Sequence, residues 1–320
     1  MYLSEHADTS VQGTDSARPL DCLIIGGGAG GLTAALYLAR FRRHALVVDE
    51  GKSRLCLIPT SHNYPGFPAG VHGKELHGRL VQQARHYGAS LTIGSVTQVS
   101  QVEVGIFKVS FADTAVFAKT ILLATGATDI PPEIAGFQDA LRSTALRYCP
   151  ICDGFEAIGK KVGVLGSGAH GVRESLFIRH YATDLTLISP TTLCATTSMQ
   201  SDELASHGVK VIDAGVERIA CRDDRISVQL ADGSVEMFDV LYSALGLNPN
   251  SSLAAGLGAD LDADGQVNVD EHMQSTMKGV YAVGDVAHGL NQISVATGQA
   301  AIAATAIHNA LRATARSIKN

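Results

Sequence analysis

Cys22-Leu23-Ile24-Ile25-Gly26-Gly27-Gly28-Ala29-Gly30-Gly31 decides the fold of this chain. Asp21 to Ile25 reads as a buried parallel strand, because its apolar residues run on without alternating. Glycines at 26, 28 and 31 then satisfy G-x-G-x-x-G, and a helical pattern continues through Arg40. The three glycines serve different physical ends. Gly26 turns the chain tightly, Gly28 lets a pyrophosphate approach the backbone, and Gly31 lets helix pack on strand. The helix that follows offers amide N–H groups and a positive dipole end at its N-terminus to phosphates. A second strand, Ala45-Leu46-Val47-Val48, ends at Asp49-Glu50. Asp49 stands about 20 residues beyond Gly26, where an acid grips a ribose hydroxyl; Glu50 is the second choice. The turn alone is a weak signal, but strand, turn, helix and terminal acid in that order specify an α/β dinucleotide-binding fold.

The same pattern returns later in the chain. Lys161 to Leu165 is a strand, Gly166-Ser167-Gly168-Ala169-His170-Gly171 is a second glycine turn, and a helix is expected through about His180. The following strand, Asp184 to Ile188, ends at Ser189-Pro190-Thr191-Thr192. No acid stands there for a 2′-hydroxyl and no Arg or Lys for a 2′-phosphate, since the next basic residue after Arg179 is Lys210. Gly166, Gly168, Ala169, His170 and Gly171 therefore keep the form of a second nucleotide site, while the element that selects NADH or NADPH is absent. Two such folds in one chain make an internal repeat.

Between the repeats lies Tyr148-Cys149-Pro150-Ile151-Cys152-Asp153-Gly154. A C-x-x-C beside a βαβ pattern is a redox signature. The alternatives are a structural disulfide or half a zinc site, and zinc needs a second ligand pair. The other Cys and His residues show no such spacing, so no metal is expected. Cys22, Cys56, Cys194 and Cys221 are isolated and read as packing residues.

Composition agrees with this reading. The 320 residues suit two domains, 46% of them are hydrophobic, and glycine is abundant at 33. A net charge of -6 gives no basis for nucleic-acid binding. Residues 1–20 are polar, mixed in charge and without a signal-peptide apolar core, and are expected to form a flexible tail. Leu23 to Ala39 is apolar but carries five glycines, so a soluble nucleotide fold is expected there rather than a membrane span. The cytoplasm, which keeps non-catalytic thiols reduced, is the expected compartment.

Taken together, these residues resemble the low-molecular-weight thioredoxin reductase family of flavoproteins, over nearly the whole chain beyond Leu20. Further motifs carry the resemblance: Ala124-Thr125-Gly126, the run Gly279 to Val286 with Gly284-Asp285, and Gln292-Ile293 followed by Ala296 and Gly298. Asn291 stands where the family often has Arg. Thr60 to Gly66, with His62, Asn63, Tyr64 and Pro65, is similar to the family's loop beside the flavin.

The resemblance implies an α/β architecture of two Rossmann-like three-layer domains, the second inserted into the first. Residues 21–129 plus 248–320 would bind FAD, and residues 130–247 would carry the CxxC. Crossings near Ile130-Pro131-Pro132 and Leu247-Asn248-Pro249-Asn250 read as linkers, and Ala300 to Arg312 as an Ala-rich helix. FAD would contact Gly26, Gly28, Ala29, Gly31, Asp49, Asn63, Ala124, Thr125, Gly126, Gly284, Asp285, Gln292 and Ile293, with Asp285 on the ribityl chain. The resemblance also implies that Cys152 faces the flavin, Cys149 attacks a partner's disulfide, and Asp153 serves as acid and base. A homodimer and hinge motion of the smaller domain belong to the same expectation.

The family's NADPH-using members carry a His-Arg-Arg run where this chain has Ser189-Pro190-Thr191-Thr192, with Leu193, Cys194 and Ala195 beyond. Several electron routes therefore stay open: NADPH, NADH, ferredoxin or a second FAD as donor, or oxygen as acceptor in a dithiol oxidase. The expected partner is a thioredoxin-like protein or a small disulfide or dithiol, with neither nucleic acid nor membrane involved.

Overall fold

The computed structural model describes residues 18–192 and 196–317. Most of the expected tail, residues 1–17, and the segment Leu193, Cys194 and Ala195 lie outside the described residues. Leu20 does not belong to a tail. It is buried, its N–H donates to Phe117 O at 2.8 Å, and its carbonyl accepts from Lys119 N at 2.9 Å. The chain divides into two compact units, one running to Thr128 and resuming at Asn248, the other Asp129–Leu247. No helix among the described residues is long and apolar enough to cross a membrane.

The first unit is built on a five-stranded parallel sheet in the order Val280–Ala282, Ile121–Leu123, Cys22–Ile25, Ala45–Asp49, Ser90–Ile93. Cys22–Ile25 lies at its centre and is buried along its whole length. Burial on both faces explains its unbroken apolar run. Cys22 and Ile24 face the helices Ala29–Arg40 and Ile293–Ser317, packing with Ala34, Ala35, Leu38, Ala300, Ala303 and Ile307. Leu23 and Ile25 face the other way, into Phe107, Val109, Phe111 and Ile121. Phe107, Val109 and Phe111 come from an antiparallel sheet of Val96–Glu103, Ile106–Phe111 and Thr114–Ala118. Full burial of each such side chain stabilises the fold by about 1.5–3 kcal/mol, so this strand is the anchor of the unit and of the glycine turn it feeds.

The second unit repeats the plan. Its parallel sheet runs Lys210–Ile212, Asp184–Ile188, Lys161–Gly166, Val240–Ala244, Leu146–Arg147. Helix Gly168–Arg179 covers one face through Val172 and Ile178. An antiparallel sheet of Val216–Arg222, Arg225–Leu230 and Val235–Phe238 covers the other through Ile219, Ile226, Val228 and Phe238. Its first hairpin turns at Asp223-Asp224, both at positive φ (49° and 57°), the primed turn that matches strand twist.

Three local expectations are revised. Ile130-Pro131-Pro132 is irregular as expected, but the second crossing is not wholly so, since Leu247–Pro249 is a short strand. Pro249 fits there because extended backbone at a strand end does not need its missing N–H. The C-terminal helix is Ile293–Ser317 rather than Ala300 to Arg312, because Gly298 meets nothing within 4 Å and is carried by its helix-forming neighbours. His170 lies in the first turn of helix Gly168–Arg179, not in the glycine turn before it.

Candidate functional site

In the first unit the strand Cys22–Ile25 delivers Gly26 against Ala124. A Cβ on Gly26 would lie 2.3 Å from Ala124 O, and Gly26 sits at φ 104°. A Cβ on Gly31 would lie 1.9 Å from Gly26 O. Neither position admits a side chain. Gly28 differs, since a Cβ there would meet only Ser53 Oγ, at 3.4 Å; the space beside it is open for a ligand. Helix Ala29–Arg40 begins directly after Gly28, with no side-chain cap and no acid in its first turn. A bare, uncontested helix N-terminus of this kind suits a pyrophosphate.

Asp49 lies behind this turn: its Oδ1 accepts from Gly27 N at 2.8 Å and its Oδ2 from Gly51 N at 3.1 Å. His77, which carries no sequence motif, is buried on helix Gly73–His86 and donates Nε2–H to Gly27 O at 2.9 Å. The turn is therefore held on both sides of its second glycine.

The C-terminal motif reaches the same unit. Gly284, at φ 74°, donates its N–H to Gln299 Oε1 at 2.8 Å, and Asp285 pairs with Arg54 NH1 at 2.9 Å. Asn63 Nδ2 donates to Gln292 Oε1 at 2.9 Å. Ile293 packs with Ala29, Leu55, Val71 and Leu76. Thr125 Oγ1 donates to Asn250 O, and Asn250 N to Gly126 O. Ala124-Thr125-Gly126 is thereby tied on one side to the glycine turn and on the other to Asn250. No sequence signal marked His77 or Arg54, and Asn250 was marked only as part of a linker; the partners of all three are distant in the chain.

The second unit holds the thiols. Cys149 caps the short helix Pro150–Asp153, with Pro150 at its first position, where proline's fixed φ is favourable and its missing N–H costs nothing. Cys152 N donates to Cys149 O at 3.1 Å, and Gly154 N to Pro150 O at 2.8 Å. This turn brings the two Cα atoms to 5.3 Å, within disulfide reach, and Cys149 and Cys152 are bonded. Asp153 follows four residues after Cys149, as the last residue of the short helix.

Asp153 is largely buried, and burial pushes its carboxyl above the ordinary range, against the Arg147 charge and the Tyr242 hydrogen bond, which lower it. Tyr242 Oη lies 2.8 Å from Asp153 Oδ1. Burial also raises the Tyr242 hydroxyl, and the Asp153 charge adds to that, so it remains a hydrogen-bond donor.

The second glycine turn is as tight as the first. A Cβ on Gly171 would lie 2.9 Å from Gly166 C, and one on Gly166 3.0 Å from Ala244 O. Arg173 and His170 are paired at the exposed helix start, Arg173 NH2 donating to Nδ1 at 3.0 Å. At the end of the next strand, Pro190 O accepts from Val216 N at 3.3 Å, and a Cβ on Gly215 would fall 2.9 Å from Thr192 N. Gly215 thus packs against the backbone of that strand end, and Ser189-Pro190-Thr191-Thr192 brings no charge to it. Among the described residues no group of three or more His, Cys, Asp or Glu side chains could hold a metal ion.

Residues 20–300 match the family model for pyridine nucleotide-disulphide oxidoreductases. The chain belongs to that family. This oxidoreductase is 30% identical over 295 residues to a thioredoxin reductase of Listeria monocytogenes, covering 88% of the present chain and 91% of the relative. It is 27% identical over 301 residues to the thioredoxin reductase of Bacillus subtilis, covering 90% and 94%. Among solved structures it superimposes on thioredoxin reductase from Streptococcus pyogenes with a TM-score of 0.84 at 26% identity, covering 92% and 98% of the two chains. It matches HlmI equally well, with a TM-score of 0.84 at 30% identity, covering 94% and 98%. The oxidoreductase is thus FAD-dependent and thioredoxin-reductase-like in sequence and fold, and its Cys149–Cys152 bond fits a redox-active disulfide.

Proposed function

We propose that the oxidoreductase moves an electron pair between FAD and the Cys149–Cys152 disulfide, and on to the disulfide of a thioredoxin-like protein. The observation that carries this reading is the Cys149–Cys152 bond at the start of a short helix, followed directly by the part-buried carboxylate of Asp153. FAD, held in residues 21–129 plus 248–320, supplies reversible two-electron chemistry when bound. Gly26, Gly28, Ala29 and Gly31 would hold its pyrophosphate, Asp49 its adenosine ribose, and Gly284 with Asp285 its ribityl chain. Ala124, Thr125, Gly126, Asn63, Gln292 and Ile293 would position the ring system. The open space at Gly28 and the uncapped helix behind it support this assignment.

In residues 130–247 the chemistry is thiol exchange. With the disulfide reduced, Asp153 takes the proton of Cys149, and the resulting thiolate attacks one sulfur of the partner's disulfide. The partner's other sulfur leaves as thiolate and receives that proton. Cys152 thiolate then attacks the Cys149 sulfur, which restores the Cys149–Cys152 bond and releases the partner as a dithiol. Two electrons and two protons reach the partner in all, the second proton coming from Cys152.

A second reading concerns the electron donor. The uncharged strand end at Ser189-Pro190-Thr191-Thr192 favours a donor other than NADPH, such as ferredoxin or a second FAD, or the opposite direction of flow, from a small dithiol to oxygen. A cytoplasmic homodimer completes the proposal. The isolated Cys22, Cys56 and Cys221, all free thiols, support a reducing compartment.

The test is anaerobic mixing with NADPH and then NADH while watching the visible flavin band, with the released flavin counted per chain. Rapid bleaching by NADPH supports a nicotinamide-fed reductase. No bleaching with two flavins per chain supports the second flavin, and with one flavin supports ferredoxin or oxygen. Cys149→Ser is expected to abolish disulfide reduction while the flavin stays bound; full activity in that variant would overturn the mechanism.

A further inference from the structure

Asp153 is gripped by one rung of the second sheet. In the pairing of Val240–Ala244 with Leu146–Arg147, Tyr242 stands opposite Arg147. Both side chains reach Asp153, from positions 89 residues after it and 6 before it. Arg147 NH1 donates to Asp153 O at 3.0 Å, and Arg147 Nε is spent on Thr144 O at 3.1 Å. The guanidinium therefore pins the backbone of Asp153 and brings positive charge near its carboxylate, with Nε 3.6 Å from Oδ2, beyond hydrogen-bond reach. Tyr242 Oη is 2.8 Å from Asp153 Oδ1 and 3.1 Å from Asp153 O. Its single proton goes to the carboxylate, because the carbonyl already has Arg147 and the charged acceptor is the stronger one. Oδ1 is thus locked, and Oδ2 accepts no hydrogen bond among the described residues.

We propose that Tyr242 and Arg147 are positioning residues that fix the Asp153 carboxylate through Oδ1 and the main chain, and reserve Oδ2 as the oxygen that takes and gives the exchange proton. The proposal rests on the reading of Asp153 as the acid and base of thiol exchange. Tyr242 suits this role, being wholly buried in an interior strand beside Val162 and Val164, so its hydroxyl has no freedom to leave. The transfer itself is simple: the S–H bond of Cys149 breaks, an O–H bond forms at Oδ2, and the same proton later passes to the leaving thiolate.

The clamp also sets when the proton moves. Burial favours neutral Asp153, while Arg147, the Tyr242 bond and Lys160 favour the carboxylate and Glu156 opposes it. Loss of Tyr242 or Arg147 removes support from the charged form only. The base then becomes available at higher pH, because losing Tyr242 takes away a charge-assisted bond and losing Arg147 a neighbouring positive charge; a shift of about one unit is a tenfold change in proton affinity.

The test uses the flavin-loaded enzyme, reduced with dithiothreitol under argon and freed of excess reductant. The alkylation rate of Cys149 by iodoacetamide is followed from acid to alkaline pH, with the labelled site confirmed by mass spectrometry. Wild type is expected to show a step from Asp153 ionisation, and Asp153→Asn to lack it. Tyr242→Phe and Arg147→Gln are expected to move that step up by about one pH unit, and Arg147→Lys to bring it back toward wild type. If Asp153→Asn leaves the profile unchanged, the acid–base reading itself fails, and the clamp with it. If Asp153→Asn removes the step but Tyr242→Phe and Arg147→Gln leave it in place, the clamp alone is overturned. Circular dichroism checks each fold, and should Tyr242→Phe not fold, the Arg147→Gln and Arg147→Lys pair decides.

Discussion

Gly31→Ala and Gly28→Ala should separate the two roles of the first glycine turn, packing and ligand approach. On Gly31 the new methyl would lie 1.9 Å from Gly26 O and 3.1 Å from Gly26 C. Both atoms are backbone, so no flexible side-chain end can yield. Restoring an ordinary contact requires helix Ala29–Arg40 to move about 1.5 Å away from strand Cys22–Ile25. That shift loosens the packing of Ala34, Ala35 and Leu38 on Ile24 and Val47. Overpacking of this type costs about 1–3 kcal/mol, and the rigidity of the site argues for about 3. In a unit of this size that lowers Tm by about 6–12 °C. It also displaces the amides at the helix start, and FAD should be lost. On Gly28 the methyl fits, 3.4 Å from Ser53 Oγ, and the backbone at φ -79° and ψ -167° accepts alanine without strain. The flavin-free protein should therefore melt like wild type, yet FAD should not bind, because the methyl occupies the approach to the backbone. Thermal melts of the flavin-free proteins and bound flavin per chain after gel filtration read the two effects. Wild-type Tm and full flavin in Gly31→Ala, or full flavin in Gly28→Ala, would refute the cradle.

Asp21 gives the first unit an acid-sensitive point. Burial works to raise its carboxyl, but the Lys119 hydrogen bond, the His44 amide and the charges of Lys119 and Arg43 outweigh this and hold it below its ordinary value. The fold favours the charged form, so this stabilisation is complete above the ordinary carboxylate value and drains away as pH falls through the depressed one. Asp21→Asn should cost about 1–3 kcal/mol at neutral pH, since the partners are part-exposed. The difference from wild type should vanish in acid, as read by denaturant melts; a constant difference would show that charge is not the cause. Cys22 behaves oppositely: full burial pushes its thiol up to about 12, so it should resist iodoacetamide at mildly alkaline pH until the chain is unfolded. Labelling of native protein at Cys22 would contradict its placement in the central strand.

Much of the fold was legible because its signals are local. Gly26, Gly28 and Gly31 are dictated by backbone clearance within one turn, and the apolar run at 22–25 follows from burial on two faces. The second repeat was legible for the same reason, as was the missing charge after Ile188. The two antiparallel sheets were not read. Ile106–Phe111 and Arg225–Leu230 do alternate in burial, but each strand is short, and a hairpin turn such as Asp223-Asp224 lacks the glycine that marks most primed turns.

The sequence by itself therefore determined the two nucleotide-type turns, the C-x-x-C with its following acid, and the order in which they come. The tertiary structure alone decided what holds them. His77 reaches Gly27 from 50 residues away, Arg54 reaches Asp285 across 231, and Tyr242 reaches Asp153 across 89. A glycine or a proline restricts its own φ and ψ and can be read in place. A buried tyrosine that donates to a carboxylate depends on which strands pair and in what register, and that is settled only when the sheet forms.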